Sequence, residues 1–255
     1  MSFYTDLGEG RFLASAHTAG PWDPGAQHAG PPSALLGRAV EQVAPRADVM
    51  VARVTVELLG PVPVGEVELT ARLARPGRSV ELVAASLSAG GREVARASAW
   101  RVRRTEGVSV RTRLAAPPAL PAEAGFDAPE GWGRGYLQAI EWRWARGSFG
   151  EPGPATAWGR MRHPLVDEEE PTPLQRVLVV ADSGNGISSE LDPRAWWFIN
   201  PELSVHLHRE PRGEWVCVDA QTHVSEGGVG LATSVLSDTE GPIGVGAQSL
   251  LVGPR

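Results

Sequence analysis

The 255-residue sequence predicts an α+β protein made of two tandem domains of one fold. Two observations carry this. The first is a long-range repeat. Arg53-Val-Thr-Val-Glu-Leu-Leu is answered by Glu202-Leu-Ser-Val-His-Leu-His, and Gly65-Glu-Val-Glu-Leu by Gly213-Glu-Trp-Val-Cys. Val80-Glu-Leu-Val-Ala-Ala-Ser-Leu-Ser is answered by Val229-Gly-Leu-Ala-Thr-Ser-Val-Leu-Ser, and Ala97-Ser-Ala-Trp-Arg-Val by Ala247-Gln-Ser-Leu-Leu-Val. Each twin lies roughly 150 residues downstream, well beyond the roughly 20–50-residue period of a solenoid unit. The second observation is that each half reads as a helix followed by a run of antiparallel strands. A helix with an apolar stripe must bury it against such a sheet.

The elements follow in order. Phe12-Leu-Ala-Ser-Ala-His-Thr is a strand candidate, and Gly20-Pro-Trp-Asp-Pro-Gly is a dense turn signal. Pro31 opens a helix, where proline is tolerated in the first turn, and Leu35, Leu36, Ala39, Val40 and Val43 supply its stripe. Strands are expected at 51–59, 64–74, 80–88 and 93–103, separated by Gly60-Pro, Pro76-Gly and Gly90-Gly. The Pro/Ala-rich stretch 114–131 has little to bury and reads as a linker. It divides an N-terminal domain, 1–113, from a C-terminal domain, 132–255. In the second half 136–149 is strand-like, with Trp142 and Trp144 on one face. Asp167-Glu-Glu-Glu-Pro-Thr-Pro is a solvated loop before a short helix at 174–180. Asp182-Ser-Gly-Asn-Gly-Ile-Ser-Ser-Glu-Leu then takes the place of the first-half helix. Strands are expected at 196–208, 214–223, 230–237 and 243–252.

Composition narrows the function. A net charge of -6 argues against nucleic acid as a partner. Lysine is absent, which excludes Schiff-base and Walker-type lysine chemistry. The single cysteine, Cys217, lies in a strand-like run and reads as a small buried hydrophobe, with no disulfide partner. The start of the chain lacks signal-peptide features, and no apolar run approaches the roughly 18–20 residues that cross a bilayer. A cytoplasmic protein without membrane contact is the expectation. His206 and His208 share a strand face, but no third ligand stands at a convincing spacing, so no metal is expected.

Gln27-His-Ala-Gly-Pro-Pro-Ser-Ala-Leu-Leu resembles the helix entry of the hotdog thioesterase superfamily. Asp219-Ala-Gln-Thr, Gly228-Val-Gly-Leu-Ala-Thr-Ser and Gly246-Ala-Gln-Ser-Leu-Leu resemble the double-hotdog, type II acyl-CoA thioesterases. The resemblance covers nearly the whole chain. It implies an α+β double hotdog, each unit a curved antiparallel sheet wrapped around a central helix. It also implies an acyl-CoA substrate and no cofactor. Edge strands of such sheets commonly pair, so a homodimer is a further expectation.

Carried over by position, the family's catalytic Asp is Asp182, at the start of the second-half helix. Its strand Thr becomes Asn200, with Ser204 as a fallback, and its last-strand Gln is Gln248. An amide can hold a water as a hydroxyl can, being both donor and acceptor. A carboxylate can activate water as a general base or attack as a nucleophile. Amides can orient that water or donate to the oxyanion. Gly30 and Gly184 are expected to let the thioester approach the backbone, and Trp197 to wall the acyl pocket.

Each site residue also has a structural explanation. Asp182 could be a helix N-cap, Gln248 a solvent-facing strand residue and Asn200 a turn former. His28, just before Ala29-Gly30 at the helix start, could be catalytic but reads first as loop packing. Arg101, Arg103 and Arg104 could meet the phosphates of coenzyme A. The repeat breaks at the polar set: no carboxylate occurs from Gln27 to Val40, Val51 stands opposite Asn200, and Ser98 or Ala99 opposite Gln248. One active site per chain is therefore expected. A non-catalytic acyl-binding hotdog is the alternative of a different class. A hotdog hydratase is disfavoured, because Ile187 stands where that family has its His.

Overall fold

The computed structural model describes residues 1–110, 112–123, 125 and 134–255. Part of the expected 114–131 linker therefore lies outside the described residues.

The first half runs β1 (Tyr4–Gly8), β2 (Arg11–Ala14), α1 (Gly30–Gln42), β3 (Val49–Leu58), β4 (Glu66–Arg75), β5 (Val80–Ala89) and β6 (Arg92–Arg103). The second runs α2 (Tyr136–Ala139), β7 (Ile140–Arg146), β8 (Ala155–Met161), α3 (Pro173–Ala181), α4 (Gly184–Ile187), β9 (Trp196–Ile199), β10 (Glu202–Leu207), β11 (Val216–Val224), β12 (Val229–Asp238) and β13 (Gly241–Pro254). All strands join one antiparallel sheet in the order β1-β2-β4-β5-β6-β3-β10-β13-β12-β11-β8-β7, with β9 added on β13. The halves meet at β3 and β10, where Val54 pairs with Val205 and Thr55 with Ser204. The first twin segments of the sequence repeat are thus hydrogen-bonded neighbours at the centre of the sheet.

Alternation on the strands turns one face inward. Val83, Ala85 and Leu87 on β5, and Ala95, Ala97 and Ala99 on β6, are buried, whereas the residues between them are partly exposed or exposed. The small side chains of β6 leave room for a helix. α1 fills it and is buried from Gly30 to Val40. Pro31 and Pro32 occupy its first turn, where their missing N–H groups break no intrahelical bond.

α3 packs antiparallel to α1. A Cβ on Gly37 would meet Leu178 Cδ1 at 2.4 Å, and one on Gly30 would meet Val179 O at 2.3 Å. Two central helices this close need glycine at the crossing. Thr172 and Gln175 form a capping box at the start of α3. Arg38 of α1 grips Glu169 through Nε and Nη2 at 2.7 and 2.5 Å. Glu170 pairs with Arg176 of α3, so the acidic loop before α3 is tied down by two of its three glutamates.

Several sequence expectations shift. The central helix of the second half is α3, which starts at Pro173; Asp182 follows its last residue and does not begin it. A constant offset from the first half misses this because α4 and β9 are inserted between helix and strands. The 136–149 run begins with a helical turn, α2, before β7. The basic strand end is occupied by protein partners. Arg101 is buried, pairs with buried Glu81 at 2.5 Å and donates to Val43 O at 2.8 Å. Arg103 faces Asp48 at 3.4 Å, and Arg104 pairs with Glu210 and donates to Ala47 O at 2.7 Å. Cys217 is buried on β11, and burial pushes its thiol up to about 12, which removes thiolate chemistry. No described helix is long and apolar enough to cross a membrane.

Candidate active site

Where the end of α3 meets the beginning of α1, the two halves enclose a cavity of about 430 Å³. Its walls come from both: Trp22, Leu58 and Val62 from the first, Leu137, Phe149 and Phe198 from the second. Trp142 and Trp144 stand edge-on to Phe149, with ring centroids 5.8 and 4.8 Å away, and back that wall.

Asp182 lines this cavity. Its side chain is 3% exposed. Asn200 Nδ2 donates to Oδ1 at 2.9 Å, and Gln248 Nε2 donates to the same oxygen at 3.1 Å. On the other side, Oδ2 is 3.1 Å from His28 Nδ1. The backbone N–H groups of Gly30 and Ala29, at the start of α1, also favour the ionised carboxylate. Burial nevertheless outweighs these hydrogen bonds and pushes Asp182 up to about 7. Asp182 is therefore not a helix N-cap: it stands at the C-cap position of α3, and its side chain faces the N-terminus of α1.

Gln248 is held at both ends. Its Nε2 also donates to Asp182 O at 3.1 Å, and its Oε1 accepts from Asn185 N at 3.0 Å. Gly184 permits this, since a Cβ there would meet Gln248 Oε1 at 3.1 Å. Asn200 is delivered by β9, which pairs with β13 so that Phe198 sits beside Val252. Ser204 contacts Thr55 and Glu202 instead of Asp182. Trp197 is absent from the cavity wall; its Nε1 donates to Pro254 O at 2.7 Å and its ring covers Gly253.

Three residues at the site are not singled out by the sequence as functional. His28 lines the cavity, and its ring stacks on Tyr136 with centroids 3.7 Å apart. Burial lowers His28 to about 3, so it is neutral and forms no ion pair with Asp182; its Nδ1 accepts from Gly30 N at 3.1 Å. Tyr136 is buried, which raises its hydroxyl pKa; the hydroxyl donates to Val179 O at 2.8 Å and lies 2.8 Å from Ser183 Oγ. It thereby satisfies a carbonyl that the end of α3 leaves without an intrahelical partner. Asn185, partly buried, lines the cavity too. The one sequence signal for His28 is its position, two residues before the glycine that opens α1.

A second carboxylate stands at the opposite end of the helix pair. Glu41, near the end of α1, accepts from Thr172 Oγ1 at 2.7 Å and from Gln175 Nε2 at 3.4 Å, at the start of α3. Burial raises its pKa. It is the pseudo-symmetric counterpart of Asp182, one residue past the Gln27 to Val40 segment that holds no carboxylate. Its partners already form the capping box, so its role is structural. Glu41→Gln, which keeps one acceptor, is expected to change stability by less than about 1 kcal/mol and to leave activity unchanged, as read by thermal unfolding and turnover. Among the described residues no group of three His, Cys, Asp or Glu could hold a metal ion.

A family model for the acyl-CoA thioesterase N-terminal domain matches residues 18–102, and one for the acyl-CoA thioesterase C-terminal domain matches residues 115–252. A search of curated proteins gives no match. Among solved structures, a hot dog fold protein of unknown function from Alicyclobacillus acidocaldarius has a TM-score of 0.75 at 16% identity, covering 98% of this chain and 95% of that one. A TesB protein from Mycobacterium avium subspecies paratuberculosis has a TM-score of 0.69 at 16% identity, covering 98% and 96%. Acyl-CoA thioesterase II TesB2 from Mycobacterium marinum has a TM-score of 0.66 at 16% identity, covering 99% and 95%. At these identities the likeness establishes the fold: an α+β double hotdog, as the sequence predicts.

Proposed function

We propose, from the premise that this chain belongs to the acyl-CoA thioesterase family, that it hydrolyses an acyl-CoA thioester to the free acid and coenzyme A. The observation that carries the reading is Asp182: a buried carboxylate pushed up to about 7, on the wall of a largely apolar cavity. A group with that pKa can take a proton from water and return it near neutral pH. Its 3% exposure argues against direct attack on the thioester and for hydrolysis by water. Gln248 and Asn200 keep the carboxylate in place; both hydrogens of the Gln248 amide are already given to Asp182. Asn185 is the amide available to donate to the oxyanion. Gly30 and Gly184 serve the site through close backbone approach, and the acyl wall is Trp22, Phe149 and Phe198 in place of Trp197.

Among the described residues, the only one besides Asp182 with a formal charge on the cavity wall is Asp23, and no arginine lines it. An uncharged acyl group is the expected cargo. The test is release of free thiol from short, medium, long, aromatic and dicarboxylic acyl-CoAs. Uncharged chains should be cleaved and dicarboxylic ones poorly. Release from none of them would sink the reading.

One observation favours a second reading, an acyl-binding protein without turnover. A carboxylate offers about four acceptor positions. Oδ1 of Asp182 already accepts from Asn200 and Gln248, and His28 Nδ1 stands 3.1 Å from Oδ2, which crowds the place a water would take. The same panel separates the two readings, with ligand binding but no thiol release expected of a binder.

A further inference from the structure

We propose that His28 is a catalytic residue: its Nε2–H donates to the carbonyl oxygen of the thioester as that oxygen takes up negative charge. This rests on the hydrolase reading above, in which Asp182 takes the proton of the water, and gives the oxyanion a second donor beside Asn185.

The backbone decides which ring nitrogen carries the hydrogen. Gly30 opens α1, so its N–H has no partner within the helix. It donates to His28 Nδ1 at 3.1 Å, and Nδ1 therefore presents a lone pair. The same N–H favours the ionised form of Asp182, whose Oδ2 stands 3.1 Å from Nδ1. One backbone donor thus serves two acceptors that would otherwise only repel each other. Burial keeps the imidazole neutral, which leaves it a single hydrogen. With Nδ1 accepting, that hydrogen is on Nε2.

Three observations direct this N–H at a substrate. Nε2 makes no hydrogen bond among the described residues, yet it is not among the buried unpartnered atoms, so it reaches open space. His28 is only 15% exposed and lines the same cavity as Asp182, so that space is the cavity. The ring is also held in place, by Gly30 at Nδ1 and by its stack on Tyr136, with planes 8° apart. A donor fixed before the reaction needs no reorganisation as charge develops, and an apolar cavity strengthens its effect.

The protons balance without His28 giving one up. The oxygen of water bonds to the acyl carbon and its proton passes to Asp182. The carbonyl electron pair moves onto oxygen, which accepts from Nε2–H. On collapse the C–S bond breaks and the leaving thiolate takes the proton from Asp182. The N–H of a neutral imidazole is too weak an acid to transfer, so it stabilises the oxyanion and stays where it is.

The experiment follows thiol release by the full chain, with thermal unfolding run in parallel. Glutamine at position 28 can accept from Gly30 N through Oε1 and still donate through Nε2; leucine can do neither. His28→Leu is expected to lower kcat by roughly 10²–10³-fold with KM changed less than about threefold, and His28→Gln to stay within about tenfold of wild type. A general base would not be replaced by glutamine. An active wild type with folded His28→Leu turning over within about threefold of it would overturn the proposal and leave the hydrolase reading standing. Equal losses in folded His28→Leu and His28→Gln would do the same. A wild type that releases no thiol overturns both. If neither variant folds, nitrogen NMR of the histidine-labelled wild type decides: hydrogen on Nε2 of His28 at neutral pH supports the proposal, and hydrogen on Nδ1 overturns it.

Discussion

Asp182→Asn is expected to abolish turnover, by on the order of 10³–10⁴-fold in kcat, while the protein folds. An amide cannot accept the proton that the water gives up, by whatever route that proton arrives. The wild-type rate should rise with pH through about 7 and level off above it, since the active form has Asp182 ionised. The same substitution carries a stability signature. The native pKa of Asp182 is raised, so the folded state holds a proton that the unfolded chain releases near 3.8. Stability from this group is full below that value, declines as pH rises and is gone above about 7. At about 1.4 kcal/mol per unit, its full span is about 4 kcal/mol.

His28 acts in the opposite sense. Its native pKa is lowered from 6.5 to about 3, so its stability contribution is present above 6.5 and is lost as pH falls towards 3. In the wild type the two slopes oppose each other between about pH 4 and 6.5. The difference between Asp182→Asn and wild type isolates the aspartate. The variant should fare best relative to wild type at pH 8 and lose that advantage steadily down to pH 4. Thermal or urea unfolding across that range checks it. A pH-independent difference would mean that the carboxylate is not carrying a buried-charge cost.

The architecture was legible because it is written twice. Alternation in 80–88 and 230–237, and the apolar stripe from Leu35 to Val43, are local patterns that survive any packing. The pairing of β3 with β10 was not legible, because register between distant strands depends on the completed sheet. Resemblance points to position 182 but puts it at the start of a helix instead of the end, since the insertion of α4 and β9 breaks the constant offset between halves. Gln248 was found, although a glutamine on a strand usually faces solvent; only the structure gives it a buried carboxylate to hold. His28 could not be ranked above loop packing from sequence, because its partner lies more than half the chain away. Glu41 shows the converse. A carboxylate at the symmetric place is satisfied by a capping box, so position in the repeat does not by itself confer chemistry.

Gly30→Ala is expected to cost both stability and activity, and the comparison with Gly37→Ala separates the two. A Cβ at Gly30 would stand 2.3 Å from Val179 O, 3.2 Å from Val179 C and 3.3 Å from His28 Nδ1. Two of these are backbone atoms of a buried helix, which cannot swing aside, so α1 must shift away from α3. Alanine gains up to about 1 kcal/mol in helix propensity, least in a first turn, whereas overpacking costs about 1–3 kcal/mol or more. The second effect wins. At Gly37 the obstacle is Leu178 Cδ1 at 2.4 Å, the end of a side chain that can change rotamer, so the net penalty should be smaller. The difference in activity should be larger than the difference in stability. Gly30 lies beside His28 and Asp182, and a displacement of about 1 Å there can cost on the order of 10²-fold in rate. Gly37 is about two turns along the helix, away from the cavity. Thus Gly30→Ala should unfold at lower temperature and lose most thiol release, while Gly37→Ala should remain within a few-fold of wild-type activity. Equal activity losses in the two variants would mean that the helix crossing matters only for folding, and that the start of α1 does not hold the reacting groups in place.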